Sequence, residues 1–321
     1  MHTDRAHAHR SVTVVIPTRN RPALLRAAVD GARSQQGVDV EVIAVDDASD
    51  DAAAVRDVAA QTGIALIRHD RRRGVAEARN AGLAAARTPW IALLDDDDRW
   101  APRKLAEQLA AVERTGARWV FSDALLVTPG GDVLETHWAP EPAAVLDQLF
   151  SFNPIPAGAS NVLVDRDLLS AAGPFDTSLQ HFADWDLWLR LAHHATPARA
   201  DAVGVAYVRH PVSMQSAGAV TAADELRRFA LSVEARYGRQ LQTTLAEEWI
   251  LEGEARAHHH LRAATGYARL SARHPTRRFL REGVRQLALA SGAARPDPGT
   301  AYPQAPAWAR ADPTTFGPPV D

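Results

Sequence analysis

The sequence predicts an α/β fold built on a mostly parallel sheet and followed by a helical extension, on three observations. Between residues 11 and 114, short β-branched runs alternate with segments of helical period, the pattern of strands joined by crossover helices. Proline, glycine and acidic motifs fall just after those runs, where open sheets of this kind bind their ligands. From residue 221 to about residue 291 the strand signal is gone, and apolar residues recur only at helical spacing.

The elements follow in order. Ser11 to Ile16 is β-branched, stops at Pro17 and reads as the first strand. Pro22 to Ser34 carries Leu24, Leu25, Ala28, Val29 and Ala32 on one helical face. Val40 to Val45 is the second strand, ending at Asp46-Asp47, and Ala52 to Gln61 is a helix. Ala65 to Arg68 makes a third strand, Val75 to Ala86 an alanine-rich helix, and Trp90 to Leu94 a fourth strand. Pro102 to Arg114 is a helix with its proline near the start, where a missing N–H is harmless. Trp119 to Val127 is strand-like and runs into a Pro-Gly-Gly turn at 129–131. Val162 to Val164 is a short strand, with a small helix from Asp167. Asp184 to His193 is a helix whose apolar face holds Trp185, Leu187, Trp188 and Leu191, and Ala202 to Val208 returns as a strand.

Composition narrows the function. At 321 residues, 46% hydrophobic and 23% charged, the chain is an ordinary globular protein that can bury a large core. A net charge of −3 excludes the basic footprint of a general nucleic-acid binder. With no cysteine there is no disulfide, no thiolate catalysis and no Cys-ligated zinc. Lys104 is the only lysine, a bias toward arginine that reads as a property of the source genome. No stretch reaches the ~18–20 apolar residues of a membrane span. Met1 to Arg10 is polar and histidine-rich, without the apolar centre of a signal peptide, so the expected location is the cytoplasm.

Asp95 to Asp98 close the apolar run Trp90-Ile91-Ala92-Leu93-Leu94 and are the most telling residues. Carboxylates crowded at a strand end repel one another strongly once desolvated. A hard divalent cation, Mg²⁺ or Mn²⁺, relieves that repulsion and takes oxygen ligands of this type. An isolated acidic run is more often a solvated loop. This one is accompanied by Asp46-Asp47 and by the Pro17-Thr18-Arg19-Asn20 turn at two other strand ends.

Four motifs therefore stand in sequence: Val14 to Pro22 around Pro17-Thr18-Arg19, Val45 to Asp50 around Asp46-Asp47, Gly74 to Gly82 around Arg79, and Leu93 to Trp100 around the aspartates. Together they resemble the family 2 glycosyltransferases of the GT-A fold, a Rossmann-like nucleotide-diphospho-sugar transferase architecture, over roughly residues 11 to 215. The resemblance implies that Pro17, Thr18 and Arg19 hold the base and ribose of a nucleotide-sugar donor. It implies that Asp47 accepts a hydrogen bond from the base, that Asp46 supports that turn, and that Arg79 lines the donor pocket. Asp95-Asp96-Asp97 covers the family's DXD signature, with Asp97 the direct metal ligand and Asp95 helping to hold ribose and metal. Asp98 reads either as support for that site or as a helix-start acid. Arg71-Arg72-Arg73 reads as a solvated turn in preference to a phosphate clamp.

Phe182-Ala183-Asp184-Trp185-Asp186-Leu187-Trp188-Leu189-Arg190 is similar to the family's Glu-Asp-Trp-Asp-hydrophobe-Trp-hydrophobe-Arg motif, with Ala183 in place of the usual Glu. The resemblance implies that Asp184 is the catalytic base toward the acceptor hydroxyl. Asp184 is also a good N-cap for the helix that follows, and both roles stay open. Asp186 and Arg190 are four apart on one helix face and form a structural pair. His210 stands either near the diphosphate or metal or in a loop without a role. His258-His259-His260 point in different directions on a helix and do not converge on one ion, and His193-His194 suit a helix C-terminus.

The expected organisation is a disordered N-terminus over 1–10, a GT-A domain over 11–218, a helical region over 219–292 that also offers a place for self-association, and a Pro-rich disordered tail over 293–321. Ending the chain near Gly292 is expected to leave stability unchanged. The expected activity is inverting, metal-assisted transfer of a sugar, from a UDP-sugar by the family's lean, to a carbohydrate, lipid-linked or small-molecule acceptor hydroxyl. A sugar-1-phosphate nucleotidyltransferase and an inactive carbohydrate- or nucleotide-binding protein on the same fold are the alternatives. The former lacks its Gly-rich loop here.

Overall fold

β-branched residues with period two fix the first strands, and helices of period 3.6 cover them. β1 (Ser11–Thr18), β2 (Asp39–Asp46), β3 (Ala65–Arg68) and β4 (Trp90–Leu93) alternate with α1 (Pro22–Arg33), α2 (Ala52–Thr62) and α3 (Val75–Ala85). Next come β5 (Arg99–Trp100), α4 (Lys104–Thr115), β6 (Trp119–Val127), β7 (Val133–His137) and the single turn α5 (Val145–Gln148). β8 (Leu163–Asp165), α6 (Arg166–Ala172), α7 (Ala183–His194) and β9 (Ala198–Val208) complete this part. The computed structural model describes residues 10–209, 219–256, 260–274, 277–291 and 304–310. They form two units, one from 10–149, 153–209 and 304–310, the other from 150–152 and the helices beyond 219.

The sheet of the first unit runs β3-β2-β1-β4-β8-β6-β9-β5, with β7 paired to β6. Its β3-β2-β1-β4 half is parallel, as expected. Beyond β4 it is mixed: β8 is antiparallel to both β4 and β6, and β9 is parallel to β6. β7 and β8 therefore run the same way, both antiparallel to β6, and residues 138–162 join them through turns, the four-residue α5 and a 3₁₀ turn at Gly158–Asn161.

Several boundaries differ from the sequence reading. β1 continues through Pro17 to Thr18, opposite Val45 and Asp46 of β2. The ladder to β4 ends at Val15, so the missing N–H of Pro17 interrupts nothing on that side. α4 starts at Lys104, and Pro102 lies in the preceding turn. β5 and β7 escaped the sequence reading because β5 has only two residues and β7 is a half-buried hairpin arm.

Each face of the sheet has its own helices. Val12, Val14 and Ile16 of β1 meet Leu25 and Val29 of α1, Val55 and Val58 of α2, and Leu105 and Leu109 of α4. On the other face α3 approaches β1 so closely that a Cβ on Gly82 would lie 2.3 Å from Val15 Cγ1. Trp119 stacks on Trp188 of α7 at 6.3 Å, and the Trp119 indole N–H donates to the Ala195 carbonyl at 2.7 Å. α2 and α6 are capped by Asp51 and Asp165, which accept from the Ala54 and Leu168 amides.

Lys104 is buried in this core, with its ammonium 4.0 Å from the Trp100 ring centre and no hydrogen-bond partner among the described residues. Burial pushes its pKa well down.

Residues 304–310 correct the expectation of a wholly disordered tail. Gln304 bridges Asp132, the Ala305 amide donates to the Gly131 carbonyl at 2.6 Å, and Ala307–Ala309 form a 3₁₀ turn. Ala305 and Ala309 are fully buried against Leu125, Val127, Ala206 and Val208, with Trp308 packed beside them. The tail's small residues fill a shallow groove on β6 and β9, a contact with no periodic signature.

The second unit is helical: α8 (Ala219–Tyr237), α9 (Thr244–Arg256), α10 (His260–Arg273) and α11 (Arg277–Ala290). Tyr267, Leu270 and Phe279 form a buried centre with Leu251 against it. Phe150 joins this unit edge-on to Tyr237, and its carbonyl accepts the Gln242 amide at 2.7 Å. No described helix is long and apolar enough to cross a membrane.

Two expectations follow. Removing residues 293–321 uncovers Val127 and Val208 and should lower the melting temperature by about 5 °C or more. An unchanged transition in differential scanning calorimetry would show that 304–310 contributes nothing. Lys104→Met keeps the aliphatic stem and removes the amine. The folded pKa lies below the unfolded value of about 10.4, so the unfolded chain binds the proton more readily between the two and wild-type stability rises with pH there. The variant should be the more stable at pH 7, and its advantage should close as pH approaches about 10. Denaturant unfolding across that range measures it, and parallel pH curves for the two proteins would contradict it.

Candidate active site

The carboxyl ends of β1, β2 and β4 carry three loops, two of which bend through conformations that L-residues seldom adopt. Asn20 after β1 has φ 58° and Ala48 after β2 has φ 59°. Left-handed backbone costs a non-glycine residue roughly 1–2 kcal/mol. Hydrogen bonds between the loops hold them there. The Asn20 amide donates to Ser49 Oγ at 2.8 Å, Asn20 Nδ2 donates to Asp50 at 2.9 Å, and the Asp50 amide donates back to Asn20 Oδ1 at 2.7 Å.

Asp46 and Asp47 organise the end of β2. Asp46 is fully buried, accepts the Ser49 amide at 2.9 Å and pairs with Arg68. Asp47 Oδ1 meets His69 Nδ1 at 2.9 Å and the Arg73 amide at 2.8 Å, and its Oδ2 accepts the Gly74 amide at 2.8 Å. Burial alone would raise the Asp47 carboxyl, but His69 and the two amides hold it below its ordinary value. Asp47 thus shapes the 69–74 loop from within.

The four aspartates after β4 divide into an accessible pair and a buried pair. Asp95 pairs with Arg79 of α3 at 2.6 Å, and Asp97 pairs with Arg21 at 2.8 Å. Asp96 is buried, takes a hydrogen bond from Thr18 Oγ1 at 2.7 Å and one from Arg21 at 3.2 Å. Its carboxyl is pushed up to about 7 by burial and by Asp97, against the pull of Arg21 and Thr18. Asp98 is completely buried, accepting from the Ser160 hydroxyl and, at 3.2 Å, from the Val208 amide of β9. Burial, then Asp97 and Asp95, raise it well above the ordinary carboxylate range. Asp98 is therefore not a helix-start acid: α4 begins six residues later, and Asp98 ties β4 to β9.

Asp184 enters from the other side. α7 begins at Ala183 with Phe182 as N-cap and no side-chain cap bond, so Asp184 sits inside the first turn instead of capping it. Its Oδ1 accepts the Trp185 amide at 2.7 Å, and Asn153 Nδ2 lies 3.4 Å from its Oδ2. Burial raises its carboxyl, Arg79 draws it back down, and Asp95 raises it further. Gly158 has φ 47°, and a Cβ there would lie 2.8 Å from Asp184 Oδ2, so only glycine leaves that oxygen room. Asp186 pairs with Arg190 at 2.7 Å, and Arg190 also donates to the Ala172 and Gly173 carbonyls, locking α7 to the end of α6.

Arg21 thus holds Asp96 and Asp97, Arg79 holds Asp95, Thr18 bonds Asp96, and the charge of Arg79 reaches Asp184. Pro17 is buried in β1 and Arg19 is exposed beside it, while Asp46 and Asp47 form a neighbouring cluster with Arg68 and His69. His210 lies outside the described residues. Sequence reading missed Arg21, Asn153 and Ser160. Arg21 stood within a quoted motif, whereas Ser160 lies 65 residues from Asp95, whose amide donates to it at 3.0 Å, with no spacing signal to link them.

Among the described residues no three acidic or histidine side chains form a ready-made metal cage. Magnesium is ordinarily held by one or two carboxylates with substrate phosphates completing the shell. Asp95 and Asp97, with 31% and 18% of their side chains exposed, fit that arrangement. Asp96 and Asp98 are committed inside the protein.

Residues 13–163 match the family model described as Glycosyl transferase family 2. The succinoglycan biosynthesis protein ExoO of Rhizobium meliloti is 38% identical over 125 residues, which is 37% of this chain and 35% of that protein. The chain therefore matches about a third of that relative's length. Among solved structures, TarS of S. aureus in complex with UDP-GlcNAc is similar at a TM-score of 0.58 and 15% identity, over 77% of this chain and 72% of that one. The mannosyltransferase PcManGT of Pyrobaculum calidifontis, in complex with GDP-Man and Mn²⁺, is similar at a TM-score of 0.54 and 22% identity, over 88% and 85%. Both share the fold.

Ser160 offers a direct test of how this site is held. Ser160→Ala leaves Asp98 without its hydroxyl donor in a buried position, a loss of about 1–3 kcal/mol. Urea unfolding should register it as a lower midpoint at unchanged slope. A midpoint equal to wild type would mean that Asp98 does not depend on Ser160.

Proposed function

From the match of residues 13–163 to glycosyl transferase family 2, we propose that the chain transfers a sugar from a nucleoside-diphosphate donor to an acceptor hydroxyl, with inversion at the anomeric carbon. The convergence of Asp95 and Asp184 on Arg79 at one end of the sheet carries this reading. It brings a basic group for the acceptor next to a charged cradle for the donor.

Asp184 is the base. An acceptor hydroxyl is a poor nucleophile until its proton leaves, and Asp184 takes that proton as the oxygen bonds to the anomeric carbon. The bond from that carbon to the diphosphate breaks in the same step, and negative charge moves onto the leaving group. Burial strengthens the base, and the charge of Arg79 offsets part of that rise. Gly158 leaves open the approach to its Oδ2, and Asn153 beside that oxygen orients it.

Asp97 and Asp95 are the residues that would hold a divalent cation, Mg²⁺ or Mn²⁺, which would supply Lewis-acid neutralisation of a leaving diphosphate. The Mn²⁺ in the mannosyltransferase complex supports this reading. Thr18 and Arg21 hold Asp96 and Asp97 in place, and Pro17, Thr18 and Arg19 lie on the side assigned to the nucleoside. Asp47 accepts three hydrogen bonds from His69, Arg73 and Gly74 of the loop after β3, which leaves its Oδ2 an acceptor position for an N–H of the base. Uridine is the proposed base, supported by the UDP-GlcNAc complex of TarS. The acceptor is a carbohydrate, a lipid-linked sugar or a small molecule.

Release of free nucleoside diphosphate from candidate UDP- and GDP-sugars, with and without acceptor, tests the reaction. Asp184→Asn keeps shape and an acceptor oxygen for the Trp185 amide but removes basicity. Transfer should fall by at least about 10², with donor affinity and melting temperature nearly unchanged. Near-normal turnover would remove Asp184 as the base. Asp97→Ala and chelation by EDTA should each abolish transfer and weaken nucleoside-diphosphate binding without unfolding the protein. Transfer that survives both would show that no metal at Asp97 is needed.

A further inference from the structure

The last two helices carry a charge and an apolar surface that the transfer reaction leaves unused. Between residues 260 and 291, seven arginines stand against one acid, Glu282, in a chain whose net charge is −3. Of these, Arg273 and Arg278 pair with Glu247 and Glu248 of α9, and Arg285 pairs with Glu282. α11 turns Phe279, Gly283 and Gln286 inward; Phe279 packs with Tyr267 and Leu270, and Gly283 sits against Tyr267 and Ala264. Leu280, Val284 and Leu287 share another arc of the same helix, spaced by four and three residues. They are 62%, 61% and 54% exposed. Arg281 and Arg285 follow Leu280 and Val284 directly and border the stripe with positive charge on its far side. On α10, Leu261 is exposed beside Arg262 in the same pairing of aliphatic and cationic side chains.

Three large aliphatic side chains in a row on the surface suit an apolar partner. Arg281 and Arg285 beside them suit an anionic one, although Arg285 also pairs with Glu282 of its own helix at 2.9 Å. A second copy docked face to face would set two arginine fields against each other across a two-fold axis. A nucleic acid would answer the arginines and leave the leucines in water. The interface of an anionic bilayer answers both, with headgroups against the arginines and the acyl boundary against the leucines.

We propose that α11 is a membrane-surface helix, which lies in the interface of an anionic phospholipid bilayer with Leu280, Val284 and Leu287 toward the acyl chains and Arg281 and Arg285 among the headgroups. The attachment is peripheral. It uses none of the residues assigned to sugar transfer and does not depend on the reading of that site.

Cosedimentation of the full chain with vesicles tests it, with no donor or acceptor present. Vesicles of phosphatidylcholine containing about one third phosphatidylglycerol should bind the protein at least about tenfold more tightly than phosphatidylcholine alone, and added salt should release it. Leu280→Glu with Leu287→Glu should weaken that binding about tenfold or more at unchanged circular dichroism, because both positions already face water. Arg281→Gln with Arg285→Gln should weaken it about tenfold and flatten its salt dependence. Equal binding to neutral and anionic vesicles, or wild-type binding by both double variants, overturns the proposal. So does a dimer in sedimentation velocity that becomes monomeric on Leu280→Glu, which would assign the stripe to a second copy of the chain.

Discussion

Asp95, Asp96, Asp97 and Asp98 are adjacent in the chain, so their mutual repulsion is present before any tertiary structure forms. At the end of a buried strand each carboxyl needs its own partner. Those partners come from four separate places: Arg79 from α3, Thr18 and Arg21 from the end of β1 and its loop, Ser160 from the turn before β8, and the Val208 amide from β9. Bringing them together fixes the neighbours of β4 and the height of the surrounding loops. Asp98 is fully enclosed and Asp97 is not, so the cluster grades from a structural tie to a surface that can receive a cation. The arrangement of the sheet and the chemistry at its edge answer the same electrostatic demand.

What the sequence disclosed follows from the range of the forces involved. β1, β2, β3, β4 and β6 were legible because alternating or continuous apolar runs report burial locally. The two-residue β5 has no period to report, and the direction of β8 shows only in its pairing with β4 and β6, which no local pattern records. At the site, Asp95 to Asp97 and Asp184 stand in compact motifs that read without coordinates. Ser160 and Asn153 act on carboxylates far away in the chain and look like any polar loop residue. The seven residues 304–310 misled in the opposite sense. Proline and alanine suggest disorder, yet in Ala305 and Ala309 the lack of bulk is what lets the segment lie flat on β6 and β9.

Asn20 and Ala48 adopt left-handed backbone at the two strand ends assigned to the nucleoside, and Ala157 does so beside Gly158, next to Asp184. Such conformations persist when surrounding contacts outweigh them, and they concentrate where a chain must present groups at fixed positions. Here Ser49, Asp50 and Asn20 clasp one another across the two loops. The edge of the sheet is thus set by the chain itself, and little ordering would remain for the proposed donor to impose on binding.

Lys104 has a consequence that reaches outside folding. It is the only lysine in the chain, and it lies under Trp100 away from solvent. The folded protein therefore presents no side-chain amine to acylating reagents, aldehydes or ester cross-linkers. Covalent labelling at residue 104 has to wait until α4 lifts from the sheet, and its extent over time becomes a single-site chemical clock for the opening of the core.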